Sequence, residues 1–170
     1  MSRAQHDPNL DLAFSRHVAL PAEALWAAWT QPDLLMPWFC PKPWQTVACE
    51  IDLQPGGIFR TVMRSPHGQE HVNSGCYLVV EPNRRLVWTN ALAPGFRPLP
   101  PNRDGDDFLF TGEIALMPIE AGLTRYEARV SHATLADCDK HAAMGFEKGW
   151  SVALDQLIEF MRLRQAAAGQ

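Results

Sequence analysis

The sequence predicts an α+β domain in which an antiparallel sheet packs against one long helix near the C-terminus. From about residue 45 to residue 131, apolar residues recur with period two and turn sequences separate the segments, which is typical of antiparallel strands. From Met144 to Met161, apolar residues recur at three- and four-residue spacing, which is typical of a helix with one buried face. We therefore expect the sheet and the helix to hold a space between them.

Length and composition restrict the class of protein. The 170 residues suffice for one domain with a substantial core, and we predict a disordered tail over 1–9 and a single domain over 10–165. A net charge of −4 and a pI near 5.8 argue against nucleic-acid binding. No apolar run is long enough to insert into a membrane, no signal peptide is recognisable, and the widely spaced cysteines indicate reduced thiols. Composition thus predicts a cytoplasmic domain.

One strand and two short helices are predicted before the main run of strands. Residues 10–20 alternate as a first strand, and Pro21 then opens a helix that runs to about Trp29. The segment Thr30-Gln-Pro-Asp has the spacing of a capping box and is expected to open a second helix over 33–36.

Six further strands are predicted by the period-two pattern. They are expected at 45–53, 58–65, 70–80, 85–92, 108–117 and 123–131. Turns that contain Pro, Gly or Asn connect most of them. The segment 93–107 is longer and rich in Pro and Gly, so we predict an irregular loop of the kind that often covers a functional site.

Three segments, in this order along the chain, resemble one protein family. They are 20–38, 75–89 and 144–157, together with the Pro-Gly-Gly turn before Ile58. They resemble the START-like (SRPBCC) superfamily, and within it the branch named after the C-terminal domain of the heat-shock-protein ATPase activator. The resemblance implies the helix-grip fold, a seven-stranded antiparallel sheet wrapped around a long C-terminal helix with a cavity between them. Because this fold serves many tasks, function has to be argued from the site.

One side of each strand is expected to line this cavity. For 58–65 we favour the phase that keeps Arg60 and Arg64 out of it, since a shift of one residue would invert the set. The predicted ligand-binding residues are Trp38, Phe39, Phe59, Thr61, Met63, Trp88, Asn90, Phe110, Gly112, Tyr126, Ala128, Phe146, Trp150 and Ala153. Apolar walls with a few polar tips are typical of a small-molecule pocket. The alternative is that these residues only fill a core.

Two Pro-rich loops, 37–44 and 94–101, are predicted to form the mouth of the cavity. Trp38, Phe39 and Phe96 are the candidate gate residues. Alternatively, Trp38 is a buried staple of the second short helix. Exposed aromatic residues on these loops also leave a homodimer open.

Acid/base chemistry in the cavity has three candidates, Tyr126, His132 and His71. A single histidine is more often solvated than catalytic. The sequence contains no Gly-x-Ser-x-Gly elbow and no glycine-rich phosphate loop. We therefore expect a binding protein rather than an enzyme.

The densest cluster of possible metal ligands is His132, Cys138 and His141, with Asp137 and Asp139 nearby. Its spacing matches no established zinc pattern. An aspartate at this place is better explained as the N-terminal cap of a helix. We predict neither a metal nor a cofactor.

The sequence thus predicts that a hydrophobic small molecule, apolar or aromatic, binds in a cavity between the sheet and the C-terminal helix. The protein would be a carrier, a sensor or a sequestering protein. The first alternative is an enzyme of the polyketide cyclase or hydratase type that acts in the same cavity. The second is a chaperone-partner domain, by analogy with the name of the branch.

Overall fold

The computed structural model describes residues 3, 5–100 and 108–169. In chain order the elements are β1 (Asp11–Val18), α1 (Ala22–Thr30), α2 (Pro32–Leu35), β2 (Gln45–Ile51), β3 (Ile58–Arg64), β4 (Glu70–Glu81), β5 (Arg85–Thr89), β6 (Leu92–Ala93), β7 (Arg97–Pro98), β8 (Phe110–Glu120), β9 (Leu123–His132), α3 (Leu135–Ala143) and α4 (Phe146–Ala168). Seven strands form one antiparallel sheet in the order β1-β9-β8-β5-β4-β3-β2. The predicted helix-grip architecture is confirmed.

The apolar face of α4 forms the core together with one face of the sheet. Leu154 and Leu157 are fully buried, and the same cluster contains Ile114 of β8 and Tyr126 of β9. Burying one leucine side chain stabilises a fold by about 1.5–3 kcal/mol. This stripe therefore holds α4 against the sheet, where the helix contacts β1.

The segment 93–107 differs from the irregular loop that the sequence predicts. Its first part belongs to a small hairpin in which β6 pairs with β7. Gly95 and Phe96 form the tight turn, with φ values of 77° and 60°. Proline and glycine here make a turn between two short strands, while residues 101–107 lie outside the described residues.

Two predicted helix caps are wrong. Thr30 does not cap α2, because it is the last residue of α1, where its hydroxyl donates to the Trp26 carbonyl at 2.7 Å. The helix α3 is capped by Thr134, whose hydroxyl accepts from the Asp137 backbone N–H at 3.2 Å. Asp137 lies in the first turn, where a negative charge favours the helix dipole.

The N-terminal segment that the sequence predicts to be disordered makes defined contacts at its described residues. Arg3 forms ion pairs with Glu113 at 2.6 Å and with Glu127 at 2.7 Å. The backbone turns at Asp7, whose carbonyl accepts from the N–H of Leu10 at 3.1 Å. The ion pairs place Arg3 against the face of the sheet that carries Glu113.

Among the described residues, none of the helices combines the length and the apolar character needed to cross a membrane.

Candidate ligand cavity

A cavity of about 490 Å³ lies between the sheet and the first half of α4. Strands β3, β4, β5, β8 and β9 contribute to one wall, and the other is formed by α1, the loop after α2, α3, the α3–α4 junction and α4. Val72 and Met144 line the cavity and are 56% and 68% exposed, so its opening lies between β4 and the α3–α4 junction. This volume falls within the range of small-molecule sites, about 300–1,000 Å³.

Small residues on α4 leave the space empty. Gly149 and Ala153 lie one turn apart on the helix, and both line the cavity. A Cβ atom added at Gly149 would have no heavy atom within 4 Å. Since protein interiors are otherwise close-packed, this room is a feature that a larger side chain would remove.

The inner wall is a cluster of tryptophan rings around Trp29. Its ring centroid lies 5.1 Å from that of Trp38, 5.4 Å from that of Trp88 and 5.7 Å from that of Trp150. Phe59 meets Trp88 edge to face at 5.6 Å. Rings that contact one another at these distances are fixed in place, so the wall is preformed for an apolar or aromatic surface.

Most of the predicted ligand-binding residues come together around this cavity. Those that line it are Trp38, Phe39, Phe59, Thr61, Met63, Trp88, Asn90, Phe110, Phe146, Trp150 and Ala153. Trp38 is only 2% exposed, so it is the buried staple of the alternative interpretation and not a gate at the surface. Phe96 is 48% exposed and is not among the lining residues.

Gly112, Tyr126 and Ala128 do not line the cavity, and the sequence prediction is corrected for these three. The Trp88 ring covers Gly112, since a Cβ there would lie 2.6 Å from Trp88 Cζ2. Tyr126 and Ala128 are each 1% exposed and belong to the same apolar core as Leu154 of α4. They lie on the predicted face, but beyond the end of the empty space.

Several lining residues were missed by the sequence reasoning. They are Trp29, Cys40, Pro41, Val72, Asn73, Ser74, Gly75, Val130, His141, Met144, Gly145 and Gly149. Residues 72–75 are consecutive, and they all border the cavity because its opening crosses β4. A rule based on strand alternation selects every second residue and cannot find such a rim. Trp29 had a signal, since it is a large aromatic residue on the apolar face of the first helix.

Of the three polar tips that the sequence predicts for the cavity, Tyr126 does not line it, and Asn90 and Thr61 differ in availability. Asn90 holds the start of β8, because its amide donates to the Phe108 carbonyl at 3.0 Å and accepts from the Phe110 N–H at 2.8 Å. A leucine at this position would lose both bonds, so Asn90 is first a structural residue. Thr61 is 3% exposed and lines the cavity between Phe59 and Met63.

None of the three acid/base candidates lines the cavity itself. His71 is exposed on β4, and its ring lies 5.3 Å from that of Trp44. Burial raises the pKa of the Tyr126 hydroxyl far above its ordinary value, so this group stays protonated. His132 is 6% exposed at the end of β9 and reaches the cavity only through a second histidine.

That second histidine is His141 on α3, which lines the cavity. Its Nδ1 lies 2.9 Å from His132 Nε2, and His132 Nδ1 lies 2.9 Å from the Leu10 carbonyl oxygen. The ring of His141 also contacts Phe108 at a centroid distance of 4.8 Å and Phe146 at 5.5 Å. Burial, and secondarily the charge of His132, lowers the pKa of His141 to about 4.

Cysteine chemistry is not favoured in the cavity. Cys40 lines it, but burial raises the pKa of its thiol, and its Sγ lies 3.3 Å from the Thr46 hydroxyl. Burial also raises the pKa of Cys49 to about 11. A thiol is nucleophilic as the thiolate, so both are poor nucleophiles. Within the described parts of the chain, no three or more His, Cys, Asp or Glu side chains are grouped to hold a metal ion.

A protein-family model matches residues 19–162, which is most of the chain. The family is described as "Activator of Hsp90 ATPase homolog 1-like protein". No curated protein matches the chain.

Solved structures match the fold over nearly the full length. A protein from Nitrosomonas europaea is 41% identical, with a TM-score of 0.87, over 95% of this chain and 99% of its own. A protein from Rhodobacter sphaeroides is 28% identical, with a TM-score of 0.78, over 94% and 97%. The AHSA1 protein from Silicibacter pomeroyi is 22% identical, with a TM-score of 0.66, over 91% and 99%, and this likeness concerns the fold alone.

Proposed function

The chain belongs to the family of Activator of Hsp90 ATPase homolog 1-like proteins, and from this premise and the cavity we propose that it binds an apolar or aromatic small molecule between the sheet and α4. The observation that carries the proposal is an empty space of about 490 Å³ whose inner wall is a fixed cluster of tryptophan rings. Burying apolar ligand surface there contributes about 25 cal/mol per Å², less the cost of association.

The shape of the wall supports a flat ligand in particular. Trp29 and Trp150 are nearly parallel, with 19° between their planes, while Phe39 and Trp38 meet Trp29 edge to face. Such a wall offers both ring faces and ring edges to a bound ring. The opening at Val72 and Met144 gives the ligand a path from solvent.

The polyketide cyclase or hydratase alternative has less support. Neither Tyr126 nor His71 reaches the cavity, and His132 does so only through His141. Enzymatic activity therefore stays the alternative that the sequence left open, and the homodimer and the cytoplasmic location stay predictions from the sequence.

A chaperone-partner function is the second candidate, and the family description favours it. It predicts that the purified chain changes the ATPase rate of an Hsp90-type chaperone. An unchanged rate over a wide concentration range would remove this candidate and leave the cavity proposal unaffected.

The proposal is tested by filling the cavity from α4. Replacing Gly149 by Leu places a branched apolar side chain in space that is empty, at a helical position that tolerates it. We expect Gly149→Leu to weaken the binding of 2-methylnaphthalene, followed by isothermal titration calorimetry, by about tenfold or more, because the two compete for one volume.

Gly149→Ala is the matched control, since its single methyl group leaves most of the cavity open. We expect it to bind 2-methylnaphthalene as the wild type does, with an unchanged or slightly higher melting temperature. Equal binding by wild type and Gly149→Leu would show that the ligand binds elsewhere. Absence of binding to the wild type would argue against the proposed function.

A further inference from the structure

The histidine pair at the α3 side of the cavity constrains where its hydrogens lie. The Leu10 carbonyl can only accept, so His132 Nδ1, 2.9 Å away, carries a hydrogen. With both rings uncharged, His132 Nε2 is then a bare acceptor, and the hydrogen between the two rings belongs to His141 Nδ1. It follows that Nε2 of His141 carries no hydrogen and has a free lone pair.

The surroundings of His141 keep this lone pair available to the cavity. His141 lines the cavity, and its Nδ1 is directed away from it, at His132, which does not line it. His141 Nε2 is not among the fully buried polar atoms of the described residues that lack a partner. The rings of Phe108, Phe110 and Phe146 pack around the imidazole and offer it no hydrogen-bond donor. No hydrogen bond from another described residue to His141 Nε2 is present.

We propose that His141 Nε2 is the specificity-determining acceptor of the cavity, and that the ligand is an aromatic molecule carrying a hydroxyl hydrogen-bond donor. This inference rests on the proposed function and adds the chemical class of the ligand. His132 is a positioning residue, because it acts by holding the hydrogen on His141 Nδ1. A depressed pKa of His141 agrees with an uncharged ring at neutral pH.

The chemical reason for selection is the cost of an unpaired acceptor. An apolar ligand that covers Nε2 would strip water from the lone pair and return no hydrogen bond. A hydroxyl group would replace that water with a direct bond. The other polar side chains that line the cavity belong to Thr61, Asn73, Ser74 and Asn90. Each of them carries both donor and acceptor groups, so none would select donors over acceptors in this way.

The test compares two probes of one shape, 2-naphthol and 2-methylnaphthalene, by isothermal titration calorimetry at pH 7.5. General hydrophobicity cancels when the ratio of their Kd values is compared between the wild type and His141→Phe. We expect the substitution to shift this ratio against 2-naphthol by about three- to tenfold, the value of one net hydrogen bond. His17→Phe is the control: it is the same substitution at an exposed histidine of β1 that does not line the cavity, and it should leave the ratio within about twofold of the wild type.

Each outcome decides the matter. An unchanged ratio in His141→Phe, or an equal shift in His17→Phe, would overturn the inference while the proposed function stands. Failure of the wild type to bind either probe would overturn both. If His141→Phe does not fold, long-range ¹H–¹⁵N correlation spectra of the wild type decide instead: a bare Nε2 at His141 supports the inference, and a hydrogen on it overturns it.

Discussion

Gly112 and Glu113 are consecutive on β8 and belong to two different kinds of protein interior. On the face that packs against α4, Gly112 lies under the ring of Trp88, with no room for even one methyl group. On the opposite face, Glu113 is 5% exposed and forms ion pairs with Arg3 at 2.6 Å, Arg129 at 3.2 Å and Arg85 at 3.4 Å. Close apolar packing stabilises the first face, and ion pairs stabilise the second.

The difference explains why only one face can form a ligand cavity. Buried charges require partners at close range. On the face that carries Glu113, the arginine side chains pair with this carboxylate and occupy the space around it. The face that packs against α4 is held by apolar contacts. Where the helix carries a small residue such as Gly149, no side chain fills the space between helix and sheet, and a cavity remains. Substitutions on each face should therefore fail in different ways.

The largest effect is expected on the charged face. Glu113→Ala leaves Arg129 and Arg85 buried or half-buried without this carboxylate, and should lower the free energy of unfolding by about 3–5 kcal/mol. Urea unfolding measures the loss. Glu70→Ala breaks the exposed ion pair with Arg64 and should cost less than about 1 kcal/mol. Similar losses in the two variants would show that burial of Glu113 does not matter.

A smaller loss is expected on the packed face. Gly112→Ala would place a Cβ 2.6 Å from the Trp88 ring, which Trp29 and Phe59 hold in place, and should cost about 2–3 kcal/mol. Gly149→Ala, at the other glycine, should be neutral or stabilise the fold by up to about 1 kcal/mol. Thermal unfolding of the pair distinguishes a filled site from an empty one. A stable Gly112→Ala would mean that the Trp88 ring can move.

The smallest effect concerns pH at the α3 side of the cavity. The pKa of His141 is about 4 in the folded protein, against an ordinary 6.5, so the unfolded chain takes up the proton first. The contribution of His141 to stability is complete above about pH 6.5 and is lost as the pH falls towards 4. The titratable groups on this side are His132, whose Nε2 faces His141, and Lys140, whose Nζ lies 5.9 Å from the centre of the Phe108 ring.

Urea unfolding at pH 7.5, 5.5 and 4.5 measures how the free energy of unfolding depends on the protonation of His141. His141→Phe should show a shallower loss of stability between pH 6.5 and 4 than the wild type, because it cannot take up the proton. Parallel losses in both proteins would assign the acid sensitivity to other groups.

Local rules in the sequence determined the fold class and part of the wall. Turns rich in Pro and Gly separate the strands, and the arginines on β3 set its phase, so Phe59, Thr61 and Met63 face the cavity as predicted. The helical spacing in the last segment predicted which side of α4 is buried, including Leu154 and Leu157. Period and turn chemistry are properties of neighbouring residues, which the sequence shows directly.

The tertiary structure alone decided which part of that face stays empty and which polar group reaches it. Tyr126 and Ala128 have the predicted orientation, yet they are buried in the same apolar core as Leu154 and Leu157, and the cavity lies mainly along β3 and β4. His132 and His141 form a pair only because α3 packs beside β9. Where a helix crosses a sheet depends on the fit of many distant side chains, and no local pattern in the sequence contains that information.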